Sequence, residues 1–453
     1  MRALGIAGNY RGLVVADEPR AALVARDVLA TGGDAADAAV AAYFTLAVTY
    51  PSAASLGAGG ACLVYDAEKD RTEALDFHPV AASGGAVAVP GAARALFALQ
   101  ARYGRLEWSR LLAPGEQLAR LGHPVSRALA RALAAAPASL FADAATARLF
   151  AHPDGTPLAE GDRLVQLDLA AVLTRLRTLG PGRLYGGDLG RELAGAAADI
   201  GLPLTLDDLR GYQPAWRKTA WVRTAFLRLH AVPSPAGQAA LRTWIALDDA
   251  GYGRADPEER AGLVLAAAKD VAVGDPAGLA GPGAGFAAVD ADGSAVACSV
   301  TLGRPFGIGR VVPGSGIFLA AVGGTPAASP AMLIDHNNHA LITAATSASG
   351  SAAPVALAQV LADLRLAKRP LEAALAEPRL VPGRSPVRAY AEATVPDSQL
   401  APLGGQGVVT VPAIDKIDAI HCPEGFAPKA GSCTAASDPR SYGMAAAATT
   451  EER

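Results

Sequence analysis

The chain has 453 residues, of which 51% are hydrophobic and 18% charged, so it can bury a large core and should fold as a globular protein. Its formal net charge of -3 offers no basic surface to nucleic acid, and the sequence has no block rich in lysine and arginine. We therefore expect no nucleic-acid partner.

The sequence also lacks the patterns of export and membrane insertion. The apolar run within residues 1–10 is too short for a signal peptide. Elsewhere Asp, Arg, Gly or Pro interrupts each apolar stretch before it could span a bilayer. We expect a cytoplasmic protein without a membrane span.

The first third of the chain alternates helical and strand patterns. Residues 21–31 predict a helix that ends at the Gly-Gly pair 32–33, and residues 35–48 predict an alanine-rich helix. Residues 61–65 and 72–75 have the composition of two strands joined as a hairpin.

Helical periodicity dominates residues 91–215, and strand patterns return in the second half. His336 and His339 flank an Asn-Asn pair between two apolar runs, which could indicate a metal site but is first a hairpin-turn signal. Strands in two groups with helices outside predict a layered α/β fold in which two sheets pack face to face. Residues 445–453 are expected to form a flexible tail.

Four cysteines are too few for a disulfide framework in a chain of this length. Cys62 and Cys298 lie in apolar, strand-like runs and are expected to be small buried hydrophobic residues. Cys422 and Cys433 flank a loop rich in Pro and Gly, which they either close as a disulfide or leave open as free thiols; the adjacent His421 adds a metal site as a third alternative.

A series of short motifs runs through nearly the whole chain in the order found in one enzyme family. The run Gly-Gly-Asp-Ala-Ala-Asp-Ala-Ala-Val-Ala-Ala at residues 32–42 is the first of them. The others are residues 56–66, 88–91, 103–104, 108, 111–112, 161–166, 204–209, 274–276, 283–290, 312–316, 377–379 and 437–440. In this order the motifs make the chain resemble the γ-glutamyltransferase family.

The resemblance implies the N-terminal nucleophile hydrolase fold, a four-layer αββα sandwich. It implies one domain over residues 1–453, with residues 1–276 similar to the large subunit of the family and residues 283–453 similar to its small subunit. A typical member is a precursor that cleaves itself and exposes a threonine whose α-amine serves as the base. That chemistry needs a hydroxyl at the first residue after the cut and donors for the oxyanion.

Position 283 is where the family resemblance places the catalytic threonine, but the residue there is a glycine. Gly283 has no hydroxyl, and its neighbours Ala284 and Gly285 offer no substitute. Only residues 277–282 separate the Gly-Asp-Pro motif from this position, so the processing loop is effectively absent. We therefore expect an uncleaved single chain.

The family's contacts to the γ-glutamyl group are also replaced. His78 stands at the position of its carboxylate-binding arginine, and it could bind a carboxylate only when protonated. Ala320 and Ala321 replace paired asparagines, and the pair Ser349-Gly350 aligns with the Gly-Gly of the oxyanion hole. The hydroxyls at or near the family site are those of Ser299, Thr301 and Ser329.

Three functional hypotheses follow from the sequence. The first is a γ-glutamyltransferase-like scaffold that has lost catalysis and binds a small molecule, another protein subunit or a second copy of itself. The second is an amidohydrolase with a reassigned nucleophile among Ser299, Thr301, Ser329 and Ser349, with His78 or another base. The third is an ordinary γ-glutamyl hydrolase or transferase that uses Thr325. None of the three requires a metal or other cofactor.

Overall fold

This computed structural model describes residues 10–85, 87–271, 273, 278–323, 329–384, 386–401, 407–425 and 433–450. Two antiparallel sheets form the centre of the molecule. The first is a seven-stranded sheet in the order β20-β1-β9-β10-β2-β3-β6. Its strands are β1 (Tyr10–Ala16), β2 (Gly59–Asp66), β3 (Arg71–Phe77), β6 (Ala215–Lys218), β9 (Ala284–Asp290), β10 (Ala295–Thr301) and β20 (Met444–Thr449).

The second sheet has six strands in the order β19-β18-β14-β13-β8-β7. Its strands are β7 (Ala220–Thr224), β8 (Leu227–Ala231), β13 (Ala331–Asp335), β14 (Ala340–Ser347), β18 (Ile417–His421) and β19 (Thr434–Ala436). Short strands form three smaller sheets: β4 (His123–Pro124) with β5 (Arg163–Leu164), β11 (Val311–Val312) with β12 (Ile317–Phe318), and β16 (Ala389–Glu392) between β15 (Leu380–Pro382) and β17 (Val408–Val411).

An apolar layer joins the two sheets face to face. Leu13 and Leu63 of the first sheet pack in one buried cluster with Met332, Leu341 and Ile420 of the second. Both faces of the central strands β9, β10, β13 and β14 are buried, which explains why these strands read as continuous apolar runs.

Helices cover the outer face of each sheet. A cluster over the first sheet includes α1, α2, α3, α4 and α8, and one over the second includes α12 and α14. The helices are α1 (Pro19–Ala30), α2 (Ala35–Thr49), α3 (Ala92–Tyr103), α4 (Trp108–Leu121), α5 (Arg127–Ala134), α6 (Ala138–Ala142), α7 (Ala144–Phe150), α8 (Leu167–Leu179), α9 (Gly182–Tyr185), α10 (Asp188–Asp199), α11 (Leu206–Gly211), α12 (Pro235–Asp249), α13 (Pro257–Ala267), α14 (Ala353–Arg365), α15 (Leu371–Ala376) and α16 (Asp397–Leu400). The predicted four-layer αββα sandwich is confirmed.

Several local predictions are also confirmed. Helices α1 and α2 occupy the predicted segments, and the Asp34 and Asp37 side chains form a capping box at the start of α2. The β2–β3 hairpin and the turn between β13 and β14 lie where the pattern placed them. Within the described residues, no helix is long and apolar enough to cross a membrane.

The expectation of a flexible tail at residues 445–453 is wrong for its first part. Residues 445–449 belong to β20, which pairs with the outer edge of β1. Ala446 and Ala448 are buried in the core beneath α1, so small side chains let this terminal strand pack closely. Residues 451–453 lie outside the described residues.

The expectation for Cys62 and Cys298 is right about burial but incomplete. They face each other on the paired strands β2 and β10 and form a disulfide, which a search for closely spaced cysteines misses because 236 positions separate them. Cys422 and Cys433 form a second disulfide, the first of the three alternatives for that loop. Disulfides persist mainly in oxidising compartments, so the cytoplasmic location stays an untested prediction.

Replacing both Cys62 and Cys298 with alanine should lower the free energy of unfolding more than replacing both Cys422 and Cys433. In the chain-entropy model a link across 236 positions contributes about 5 kcal/mol and a link across 11 positions about 3 kcal/mol. Urea unfolding of both double variants without reductant measures the difference. With reductant, the free energy of unfolding of the wild type should fall toward the values of the two variants. If reductant leaves the wild-type value unchanged, that would argue against the disulfides.

Candidate active site

The residues that the family resemblance marks lie at one end of the seven-stranded sheet. Gly283 directly precedes β9, whose first residue pairs with Val300. The next residue of β10, Thr301, pairs with Gly59 of β2, and the neighbouring Gly60 pairs with Phe77, next to His78. Because strands lie about 4.8 Å apart, His78 is about 15 Å from Gly283. The structure brings Gly283 and His78 to the same end of the sheet but does not place them in contact.

Gly283 is enclosed by backbone atoms. Its N–H donates to the Ala348 carbonyl at 2.7 Å. A Cβ atom at this position would lie 2.1 Å from the Val300 carbonyl oxygen and 2.9 Å from that of Ala348. The Val300 oxygen belongs to β10, which is paired with β9, and the Ala348 oxygen is held by the Gly283 hydrogen bond. Position 283 therefore has neither a hydroxyl nor the space for a side chain.

The hydroxyls of Ser299 and Thr301 are bonded to backbone amides. Ser299 Oγ accepts a hydrogen bond from the Ser347 N–H at 3.0 Å, and Thr301 Oγ1 accepts one from the Gly303 N–H at 2.9 Å. Both side chains are buried. These contacts favour a structural role, in which each hydroxyl fixes the chain beside the strand end.

Ser329 and Ser349 are buried, and neither hydroxyl has a hydrogen-bond partner among the described residues. Ser349 adopts a left-handed backbone conformation with φ of 61°. Its neighbour Gly350 is packed so tightly that a Cβ atom would lie 2.9 Å from the Gly281 nitrogen and the Leu279 oxygen. None of the four predicted hydroxyls is bonded to an imidazole in the described part of the chain, so the predicted nucleophile–base pair does not form there.

His78 belongs to a charged group on β3. Its Nδ1 lies 2.7 Å from Asp76 Oδ1, and the other Asp76 oxygen accepts a hydrogen bond from Arg217 Nε at 2.9 Å. Burial opposes ionisation of Asp76, but His78 and Arg217 outweigh it and lower its pKa to about 2. The ionised Asp76 is thus a direct partner for His78, whereas the family's arginine would be directed to substrate.

Ala320 and Ala321 are part of the apolar closure of this end. The Ala320 N–H donates to the Gly57 carbonyl at 3.2 Å, and the Ala321 N–H donates to the Leu302 carbonyl at 2.8 Å. Ala320 packs with Leu302 and Phe318 in a buried cluster. Where the resemblance implies amide side chains, this chain has the buried methyl group of Ala320 and the partly buried one of Ala321. Thr325 lies outside the described residues.

The charged side chain of Lys416 contacts Gly283, and sequence reasoning missed it. Its ammonium lies 3.4 Å from the Gly283 carbonyl oxygen and 3.5 Å from Tyr50 Oη. Burial opposes its charge, but Tyr50, Asp17 and Asp415 outweigh that effect and raise its pKa. A lysine held in its charged form has no lone pair and cannot act as a general base. The signal that was available is a charged pair, Asp415-Lys416, inside an apolar run.

Two buried carboxyls face Lys416. Asp17 Oδ2 accepts a hydrogen bond from the Gly285 N–H at 2.8 Å, and Asp415 Oδ1 accepts from the Ala348 and Lys416 N–H groups at 3.0 and 2.7 Å. Burial raises the pKa of Asp17, although Lys416 and the Gly285 amide oppose it. Burial likewise raises the pKa of Asp415 to about 6. The group anchors the ends of β1, β9 and β14.

Two motifs from the end of the sequence meet behind this group. The Arg379 guanidinium pairs with Asp438 at 2.6 Å, and that of Arg440 pairs with Glu392 at 2.5 Å. All four side chains are buried or nearly so, and each is hydrogen-bonded to further groups. These motifs have a structural role, since they connect α15 and β16 to β18.

His336 and His339 lie in the turn between β13 and β14, as the hairpin interpretation predicted. His336 contacts Asp70 and His230. Within the described ranges, no group of three or more His, Cys, Asp or Glu side chains has a metal-binding arrangement.

The fold is that of the N-terminal nucleophile hydrolases. It resembles the cephalosporin acylase of Bacillus halodurans with a TM-score of 0.80 at 21% identity, over 100% of this chain and 98% of that one. The gamma-glutamyltranspeptidase of Helicobacter pylori matches with a TM-score of 0.53 at 26% identity, over 58% of this chain and 82% of that one.

The chain belongs to the gamma-glutamyltranspeptidase family, whose model matches residues 21–84 and 78–267. It is 31% identical to a glutathione hydrolase proenzyme of Bacillus subtilis over 50% of this chain and 42% of the relative. It is 32% identical to glutathione hydrolase 3 of Arabidopsis thaliana over 51% and 38% of the two chains. The match therefore spans less than half the length of these relatives.

Replacing Gly283 with alanine should destabilise the protein by about 1–3 kcal/mol, because the added methyl group forces β9 and β10 apart. Urea unfolding measures the change. Gly195→Ala is the matched control: Gly195 lies in α10 with open space around its Cα, so alanine there should be neutral or stabilising. Equal effects of the two substitutions would contradict the packing at Gly283.

Replacing Asp415 with asparagine should change the pH dependence of stability. The folded-state pKa of Asp415, about 6, exceeds its unfolded value. Its carboxyl therefore contributes to the stability of the folded wild type below about pH 4, and this contribution is lost as the pH rises through 6. Asparagine removes this loss. The difference in free energy of unfolding between the wild type and Asp415→Asn should change by about 2–3 kcal/mol from pH 4 to 7.

Urea unfolding across that pH range tests the effect of Asp415→Asn. An asparagine can still accept the Ala348 and Lys416 hydrogen bonds, so the variant should fold. Asp199→Asn, an exposed substitution at the end of α10, should leave the pH profile unchanged. Parallel profiles for wild type and Asp415→Asn would contradict the raised pKa.

Proposed function

We propose that this protein keeps the gamma-glutamyltranspeptidase scaffold but has lost autoprocessing and γ-glutamyl transfer, and that it acts as a binding or complex-forming protein. The enclosure of Gly283 carries this proposal. A nucleophile at the family position would need a side chain, and its first carbon would overlap the Val300 carbonyl oxygen.

The groups around Gly283 support the same conclusion. Nucleophilic catalysis needs a base beside the hydroxyl, and Lys416, whose ammonium contacts the Gly283 carbonyl, is held in its charged form. The family's amide contacts are replaced by Ala320, which is buried in an apolar cluster, and by the partly buried Ala321. The segment between the Gly-Asp-Pro motif and Gly283 has only six residues, 277–282, and offers little length for a processing loop.

A binding role is compatible with the packed core and with the polar groups at the Gly283 end. The scaffold is fully packed at its core, and its polar groups at the Gly283 end are directed to backbone amides and to one another. The occupant is a less polar small molecule, another protein subunit or a second copy of the chain. A reassigned amidohydrolase that uses Ser299 or Thr301 is less well supported, because both hydroxyls are buried and bonded to backbone N–H groups.

Intact mass and hydrolysis of γ-glutamyl-p-nitroanilide test the proposal together. We expect one species near 45.7 kDa and no release of p-nitroaniline above the buffer rate, with glutathione also left intact. The Bacillus subtilis glutathione hydrolase, assayed in parallel, is the positive control. Two fragments that together account for the whole mass, or turnover of either substrate, would overturn the proposal.

A further inference from the structure

A chain of hydrogen-bonded side chains lies away from Gly283, between the β2–β3 turn and the second sheet. Asp70 Oδ1 is 2.8 Å from His336 Nδ1, and His336 Nε2 is 2.9 Å from His230 Nε2. His230 Nδ1 is 2.8 Å from Thr219 Oγ1. We propose that Thr219 is the nucleophile of a second hydrolytic site that accepts small carboxylic esters. This inference is independent of the proposed function.

The hydrogen bonds can all run in one direction. The Thr219 hydroxyl donates to His230 Nδ1, His230 Nε2–H donates to His336 Nε2, and His336 Nδ1–H donates to the Asp70 carboxylate. Each imidazole then carries one proton, and this assignment of tautomers follows from the pattern of partners. Tyr65 Oη also donates to Asp70 Oδ1, at 3.2 Å, which fixes the carboxylate. A nucleophile, a base in contact with it and a group that orients the base are the elements of nucleophilic catalysis.

The relay explains how a poorly basic histidine can deprotonate Thr219. Burial, helped by His336 and Arg228, lowers the pKa of His230 to about 3, so a positive charge on that ring is costly. As a proton enters at His230 Nδ1, another leaves from Nε2 to His336. The charge comes to rest on His336, directly beside the Asp70 carboxylate. His230 remains neutral throughout.

The surroundings of Thr219 supply access and a cation. Thr219 is partly exposed between β6 and β7. Trp221 pairs with His230 across β7 and β8, so the two side chains share a face, and Trp221 is 47% exposed. The Arg228 guanidinium lies 4.7 Å from the centre of the Trp221 ring and donates no hydrogen bond to any described residue. It is therefore available to an oxyanion, while the indole offers an apolar surface to an acyl or aryl group.

The reaction balances with these groups alone. Thr219 Oγ1 forms a bond to the ester carbonyl carbon as its proton passes to His230 and the His230 proton passes to His336. Arg228 stabilises the oxyanion. The carbon–oxygen bond to the leaving alcohol then breaks, and the protons return along the relay so that His230 protonates the alcohol. Water repeats the sequence on the acyl-threonine and releases the acid.

Hydrolysis of p-nitrophenyl acetate and p-nitrophenyl butyrate tests the proposal. Thr219→Ala should lower the enzyme-dependent rate at least about 100-fold, and Thr219→Ser should retain activity. Because p-nitrophenyl acetate also acylates surface amines, an acid quench and peptide mass spectrometry should locate the acetyl group on Thr219. Thr178→Ala, an exposed substitution in α8, is the matched control and should act like the wild type.

Asp70→Asn distinguishes a relay from a structural network. Asparagine can still accept the His336 hydrogen bond, so the fold should persist, but it cannot stabilise a positive His336. The rate should fall about 10-fold or more, and the apparent pKa of the pH–rate profile should shift. No turnover by the wild type, an undiminished rate for Thr219→Ala, or an acetyl group found only on other residues would overturn the proposal. An Asp70→Asn profile identical to that of the wild type would also do so.

Discussion

The close approach of β14 to the start of β9 determines which side chains fit at the Gly283 end of the first sheet. Gly283 lies against the Val300 and Ala348 carbonyls, and two residues later a Cβ atom on Gly285 would be 2.2 Å from Thr346 Oγ1. Glycine at both positions lets the two sheets meet without a gap. The same approach leaves no room for a side chain at Gly283, and the proposed loss of the family's catalysis rests on this packing.

Buried charges complete that end of the sandwich. Isolated charges inside a protein are costly, so they occur with opposite charges and hydrogen-bond donors. Lys416 interacts electrostatically with Asp17 and Asp415, and Arg379, which pairs with Asp438, donates to the Asp415 carbonyl. The raised pKa values of Asp17 and Asp415 indicate that the compensation is incomplete, and that one proton is more easily held there than in water. This arrangement fixes strand ends; it does not activate a hydroxyl.

The sequence was sufficient to predict the layers of the fold, because they depend on local patterns. Apolar runs marked the buried strands, and the motif order located Gly283. Contacts between distant residues were not predictable in this way. Cys62 meets Cys298 across 236 positions, and His336 meets Asp70 across 266, because neighbouring strands in a sheet need not be neighbours in the chain. The terminal strand β20 was missed because alanine and threonine near a chain end resemble a frayed segment.

The two ends of the sandwich can differ in chemistry because an apolar layer separates them. Strands such as β2 and β10 have seven or eight residues, which at about 3.4 Å per residue place their ends about 24 Å apart. At that distance, and at an effective dielectric constant near 20, two unit charges interact by less than about 1 kcal/mol. The group around Lys416 therefore has little influence on the relay from Asp70 to Thr219. A substitution at one end can therefore be tested without changing the chemistry of the other.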